Sequence, residues 1–503
     1  MALTDVRRPQ VSVRRHRVHL AIVVAIAVVA ETLTASTTVG RAAAIIVCAV
    51  LVCRLPVDRA VLWFVAISLA AEERSNVPFA GLWTSPVEHV ADFWFETIKK
   101  SVPFLPVPAS PMFLVSAALL ARVVMDRTGA DLRRGAVNPF PASYRSAARA
   151  ALVTVVVAAL YGIARGGDVQ QTYYQLFGLV VVLCLAIVTA RTGSPAMARS
   201  LCDLVVAVAV YRAVLAVWMY VAILPGRSGP PPLYVTSHGD SVLWAVALVV
   251  LFSRFIERPS RRAGTLLLTL GALLGFAMVV NNRRLAWVIV ATAFAYVVYV
   301  SHGAVRRRLA RVARYAIVPA ILYVVAGLAG PELRVFAPVQ ALRSVVEGGD
   351  SSSVTRDVEN FNLIFTLRSN LPIGTGLGHP YIEVIRGDDI TRGATSTFVN
   401  YRYLPHNSLL GLLMWVGPVG VALLVLPLLM GVGSALASHR ESRDPVIRVY
   451  AAVVLTAWVG YVMEAWGDQG LYGGAPVVLA GVMAGIGMVL RTSVSPPDAA
   501  PDP

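Results

Sequence analysis

Charge is what this chain has little of. Only 14% of its 503 residues are Asp, Glu, Lys or Arg, against 57% hydrophobic, and so thin a polar complement does not cover a water-soluble domain of that length. Cysteine is scarcer still, with Cys48, Cys53, Cys184 and Cys202 the only four. All lie in apolar segments and none has metal-ligand spacing to a histidine, which argues against a disulfide scaffold and a zinc site. The alternation of a membrane β-barrel is missing too. No internal repeat is visible, and ionisable residues away from predicted helix ends are few, Asp203 and Arg212 being the exceptions. Both absences speak against a transporter or flippase, and a structural contact with neighbouring groups accounts for Asp203 and Arg212.

What is present is a succession of apolar runs, at about 18 to 34, 41 to 54, 57 to 72, 111 to 125, 147 to 165, 173 to 191, 197 to 224, 238 to 256, 263 to 281, 285 to 301, 313 to 330, 407 to 434, 447 to 466 and 473 to 491. Most approach the length that crosses a roughly 30 Å hydrocarbon layer. The expected fold class is all-α: a polytopic transmembrane helical bundle of about 12 to 14 spans with one large, partly helical external loop. The lower number applies if the short second and third runs form a re-entrant pair or buried hairpin. The first run is read as an uncleaved span, because Glu31-Thr-Leu-Thr-Ala-Ser is a poor signal-peptidase context. The expected divisions are a cytoplasmic basic tail at 1–17, a transmembrane bundle at 18–330, an external catalytic loop at 331–405, C-terminal membrane helices at 406–491 and a disordered tail at 492–503.

A net charge of +16 would suggest nucleic acid in a soluble protein. Here the arginines fall in short blocks between apolar runs, as the orientation bias of membrane insertion requires, so no nucleic-acid partner is expected. With the N-terminus cytoplasmic, the connections around 122–149, 254–262, 306–314 and 440–448 are arginine-rich and fall on the cytoplasmic side. Those around 166–171, 225–232, 331–405 and 464–472 alternate with them and fall outside. Alanine, valine and arginine outweigh isoleucine and lysine, as in high-GC bacterial genomes. The expected location is a bacterial cytoplasmic membrane, multi-pass, with both termini inside and 331–405 external.

One turn breaks the orientation rule. Asn281-Asn282-Arg283-Arg284 falls on the external side, where two adjacent arginines oppose the bias. They either snorkel to lipid phosphates or hold phosphate oxygens of a substrate, a task for which guanidinium groups are well shaped. Within the external loop, Ser351 to Arg368 has N-cap candidates and helical apolar spacing. Phe361, Ile364, Phe365 and Leu367 form the side expected to pack over the bundle. Arg356 and Asn360, four apart, lie on a similar face as each other, and either look into a cavity or form a solvated stripe. Pro372-Ile-Gly374-Thr-Gly376-Leu-Gly378 ends the helix in a turn where a backbone can approach a substrate closely, with His379 next to it. The loop ends at His406-Asn407, an imidazole and a carboxamide at the mouth of a membrane helix. Residues 73–110, with Trp83 and Trp94, read as an interfacial helix whose tryptophans sit at headgroup level.

These residues carry a likeness. His406-Asn407-x-x-Leu410-x-x-Leu413-x-x-x-Gly417-x-x-Gly420, preceded by Arg356 and by Pro372-x-Gly374-x-Gly376, resembles the signature of the O-antigen ligase and O-antigen polymerase superfamily, and Arg284-Leu-Ala-Trp resembles its arginine at an external helix start. Arg283, Asn360 and Trp415 depart from the family pattern. The resemblance covers about residues 265 to 430 and implies transfer of a glycan from a polyprenyl-pyrophosphate-linked donor to a hydroxyl of a glycan, lipid or protein acceptor, within membrane lipid and without a cofactor or metal. His406, Arg284 and Arg356 would then be catalytic, with Arg283, Asn407, Asn360, Gly374, Gly376 and His379 binding substrate. Cations suit a leaving pyrophosphate and imidazole suits a hydroxyl proton, although His406 as a phosphate donor stays equally open. A competing enzyme reading is a polyprenyl-phosphate-sugar glycosyltransferase using Glu72, Glu73, Glu88 or Asp92, often with a divalent cation.

Overall fold

The computed structural model describes residues 38–71, 88–103, 107–125, 141–226, 234–301, 303–330, 333–336, 338–340, 343, 351–385 and 401–494. Residues 1–37, including the first apolar run, Trp83, Glu72-Glu73 and the last nine residues lie outside this set. Among the described residues the chain is all-helical, and nine helices are long and apolar enough to cross a membrane. It is a multi-pass membrane protein.

The helices are α1 (Thr38–Arg54), α2 (Val57–Ala70), α3 (Glu88–Phe95), α4 (Pro111–Met125), α5 (Ala142–Ala164), α6 (Val169–Thr192), α7 (Pro195–Trp218), α8 (His238–Glu257), α9 (Arg261–Asn281), α10 (Arg284–Val300), α11 (Gly303–Ala329), α12 (Ser351–Arg368), α13 (Ser408–Glu441), α14 (Pro445–Gly467) and α15 (Gly474–Ser493). Their starts are set by capping side chains: Asp168 accepts from the Gln171 N–H, Ser194 from Met197, Ser260 from Ala263 and Asp444 from Val446. α6, α8, α14 and α15 form the buried centre, while α9 and α11 are peripheral.

Close approach in that centre rests on small residues. A methyl group at Gly481 or Gly485 of α15 would lie 2.7 Å from the carbonyl oxygens of Val182 and Ala186 on α6, respectively. Four residues apart on one face, they let two backbones meet where lipid offers no hydrophobic drive to association. Arg212 of α7 and Asp240 of α8 form a buried bidentate pair at 2.8 and 2.7 Å, and Asp203 pairs with Arg254 at 2.7 Å. Asp203 and Arg212 of the seventh run therefore both have structural partners.

Two expectations fail here. Trp94 does not face lipid headgroups: it is buried inside the bundle, its Nε1 donates to Ser68 Oγ at 2.8 Å and its ring meets Phe64 edge-on. α12 is turned over. Phe361, Ile364 and Phe365 are 48%, 39% and 42% exposed, while Glu359, Asn362, Leu363 and Thr366 are buried. Polar pairing drives the reversal. Asn362 Oδ1 accepts from the N–H groups of Val384 and Ile385 and its Nδ2 donates to Ile385 O, while Thr366 Oγ1 accepts from Ile382. The polar stripe thereby serves as the partner strand that residues 382–385 lack.

The glycine turn after α12 dips into the bundle beside α13. Pro418 has no N–H to give the Met414 carbonyl inside α13, and the chain kinks at Gly417, φ 66°. Thr375 N–H takes the Met414 oxygen at 2.9 Å and Gly376 N–H that of Trp415 at 2.9 Å. Met414 lies seven residues beyond Asn407, so the turn descends about 10 Å below the helix mouth. On its other side Leu377 lies against α5, where a methyl group at Gly162 would be 1.9 Å from Leu377 O.

Candidate active site

The starts of α8, α10, α13 and α15 and the ends of α9 and α14 lie at one end of the bundle, where α12 packs on α13. α13 places His406 one residue before its N-cap, Asn407, whose Oδ1 accepts from the Leu410 N–H at 3.1 Å. From α12, Glu359 reaches under the imidazole. Its oxygens accept the His406 backbone N–H at 3.2 and 3.1 Å, and His406 Nδ1 lies 3.2 Å from Oε2. A carboxylate can only accept, so the Nδ1 edge carries the proton and the Nε2 lone pair points away from Glu359. Glu359 is 2% exposed, whereas the His406 side chain is 20% exposed. The pair is thus a buried acceptor behind a reachable base. Tyr401 stacks on the imidazole, centroids 4.1 Å apart. Burial, with the charges of Asp468 and Glu359, pushes the Tyr401 phenol up.

α12 supplies three residues on one stripe at i, i+3 and i+4: Arg356, Glu359 and Asn360. Asn360 Oδ1 accepts from Asn407 Nδ2 at 3.0 Å, which ties the loop helix to the start of α13.

A second group sits beside the first. Asn281, fully buried, accepts from the N–H groups of Val235 and Thr236 and donates to Ser237 O and Ser241 Oγ. Asn282 ends α9 in the left-handed region, φ 48°, a conformation that asparagine tolerates better than most residues. Together they turn Arg283 inward. Its guanidinium carbon lies 3.4 Å from the centroid of the Tyr234 ring, Nη2 donates to Thr236 O at 3.2 Å, and Nη1 lies 2.5 Å from His238 Nε2. Burial pulls the Arg283 guanidinium down from its ordinary value, with Tyr234, Asp468 and Glu464 opposing. His238 Nε2 is also 2.8 Å from Asp468 Oδ2, and its Nδ1 is 4.0 Å from Glu464 Oε1. Burial alone would raise the Asp468 carboxyl. The hydrogen bond and charge of His238, the Gln469 N–H and the charge of His406 outweigh it and hold the group well below the ordinary carboxylate range. Arg356 lies close enough to His238 for their charges to repel.

Electrostatically the two groups are therefore one site, since Asp468 feels both His238 and His406. It gathers Arg283, Arg356, Asn360, His406 and Asn407. Arg284, the first residue of α10, is exposed beside it. Gly374, Gly376 and His379 are turned to another task. A methyl group at Gly374 would lie 2.5 Å from Trp415 O and one at Gly376 2.5 Å from Gly162 Cα, while His379 Nε2 is 3.2 Å from Gly162 O and its carbonyl accepts from Trp415 Nε1. That turn seats the loop on α5 and α13.

The sequence reading missed Glu359, His238 and Asp468. Glu359 had a signal, standing between Arg356 and Asn360 on their stripe, whereas nothing in spacing joins His238 and Asp468 across 230 residues. His238, Glu464 and Asp468 offer ligand atoms within 4.8 Å of one another, the donor set of a divalent-cation site. Arg283, against His238, sets a fixed positive charge where such a cation would sit, which opposes occupancy. Neither a known family model nor a curated protein matches this chain significantly.

Proposed function

We propose that this protein is a membrane glycosyltransferase that moves a glycan from a polyprenyl-pyrophosphate carrier to an acceptor hydroxyl, in the manner of an O-antigen ligase or a polysaccharide polymerase. In this reading it spans a bacterial cytoplasmic membrane about 12 to 14 times, with both termini inside and the His406 end outside. The arginine-rich connections at the opposite end support that orientation.

The observation that carries the proposal is the Glu359–His406 pair. Nε2 takes the proton of the acceptor hydroxyl as its oxygen bonds to the anomeric carbon, and the bond from that carbon to the pyrophosphate oxygen breaks. The imidazolium that forms is stabilised by Glu359 through Nδ1–H, and polyprenyl pyrophosphate leaves with the bonding electrons. Arg283, Arg356 and the exposed Arg284 are the cations available to the leaving oxygens. Support for a ligand at Arg283 comes from a conflict at His238: one ring nitrogen faces a donor, Arg283 Nη1, and an acceptor, Asp468 Oδ2, and one proton cannot serve both. A phosphate oxygen that draws Arg283 away leaves Nε2–H to Asp468 and removes the conflict.

The test is transfer from a lipid-linked glycan by protein reconstituted in nanodiscs, with and without chelator. His406→Ala is expected to abolish transfer while the protein stays monodisperse, and chelator is expected to have no effect. Loss of activity with chelator, restored by a divalent cation, would instead assign the chemistry to His238, Glu464 and Asp468.

A further inference from the structure

The opposite end of the bundle holds a cleft that this chemistry does not use. It has a volume of about 390 Å³ and lies among the start of α7, the end of α8 and the starts of α9 and α14. Arg199, Arg254 and Arg258 line it together with Asp203 and the Tyr450 hydroxyl. Asp203 pairs with Arg254 at 2.7 Å and Asp444 with Arg258 at 3.3 Å, while Arg199 Nε donates to Tyr450 OH at 3.3 Å. Three guanidinium groups therefore meet two carboxylates and one phenol, and the cleft keeps a net positive charge. Its size is that of a small-molecule site.

The other wall is apolar. Ala263, Val446 and Val449 close it, and one turn further along α9 the side chain of Leu266 is 39% exposed. A ligand seated here would have an anionic head among arginines at the helix-end layer and an apolar continuation along the bundle surface. That pairing of chemistries belongs to a phospholipid and not to a soluble phosphate.

We infer that this cleft binds the phosphodiester headgroup of an anionic phospholipid, with its acyl chains lying along α9. Arg199 and Arg258 are the principal ligands, because Arg254 is engaged by Asp203 inside the cleft, whereas the pair of Arg258 with Asp444 is longer and exposed. The site is separate from the His406 end and binds lipid whether or not the proposed transfer is correct.

Native mass spectrometry of protein extracted from nanodiscs of phosphatidylglycerol in phosphatidylcholine tests it. Wild type is expected to retain phosphatidylglycerol adducts over phosphatidylcholine. The double variant Arg199→Ala/Arg258→Ala is expected to retain about tenfold fewer, and the exposed Arg443→Ala, outside the cleft, as many as wild type. Arg258→Ala alone, an exposed side chain whose loss leaves the Asp444 cap in place, gives an intermediate value and guards against misfolding of the double variant. Equal phosphatidylglycerol retention in wild type and double variant overturns the inference. So does displacement of the adducts by excess inorganic phosphate, which would assign the cleft to a soluble anion.

Discussion

Glu359→Gln isolates the tautomer argument from everything else at the site. The substitution preserves volume in a position 2% exposed, so packing is retained. Glu359 serves two donors on one residue, the His406 backbone N–H and Nδ1–H. Glutamine offers one oxygen, and its NH₂ must then face the other donor. The imidazolium of the transfer step also loses the carboxylate that offsets its charge. A hydrogen bond to a charged group contributes about 1.5–3 kcal/mol, so kcat is expected to fall about ten- to hundred-fold. KM for the lipid-linked donor should hold, because Glu359 sits behind the imidazole and reaches no substrate. Spectra of ¹⁵N-histidine-labelled protein supply a readout that needs no substrate: wild type is expected to show His406 protonated at Nδ1 with a bare Nε2, and the variant a mixture of tautomers. Unchanged kcat in the variant, or an Nε2-protonated His406 in wild type, would refute the reasoning.

Other consequences are equally direct. Gly162→Ala forces a methyl group against Leu377 O and should destabilise the protein by about 1–3 kcal/mol in thermal unfolding, while Gly275→Ala, with open space around it, should leave stability unchanged or raise it by up to about 1 kcal/mol. Arg283→Ala strips His238, Thr236 and Tyr234 of a partner and is expected to lower both transfer and melting temperature. Arg284→Ala, at an exposed position, is expected to lower transfer alone; a matching loss of stability would place Arg284 in the framework. Phe361→Trp on the outward face of α12 should be quenched by brominated phospholipid in nanodiscs, and quenching by aqueous iodide instead would put that face in water.

How far the sequence reads depends on which force places each residue. Apolar runs follow from the thickness of the bilayer, and thirteen of the fourteen coincide with helices among the described residues, the other lying outside them. His406 and the asparagine-arginine turn were visible because each interrupts a pattern, one by a polar pair at a helix mouth and the other by paired arginines where the alternation of basic connections expects none. Contacts that join distant segments through polar atoms were not visible. Trp415 looked like a departure from a motif and is the donor that holds His379 O. Pro418, which the sequence reading passed over, removes the donor that would have competed with Thr375 for the Met414 carbonyl.

The misreading of α12 has a physical cause of wider use. An apolar stripe marks the inward face of a helix only when the outside is water. On the proposed reading α12 lies at the bilayer, where the outside is apolar as well, so Phe361, Ile364 and Phe365 lose nothing by facing out and the decision passes to the polar stripe. Asn362 and Thr366 have backbone groups of 382–385 to satisfy, and Glu359 has two donors on His406. Turning the helix the other way would leave those buried groups unpaired, at a cost of several kcal/mol for each. For a helix lying over such a bundle, the polar residues at i, i+3 and i+7 choose the face. Read by that rule, 359, 362 and 366 point inward.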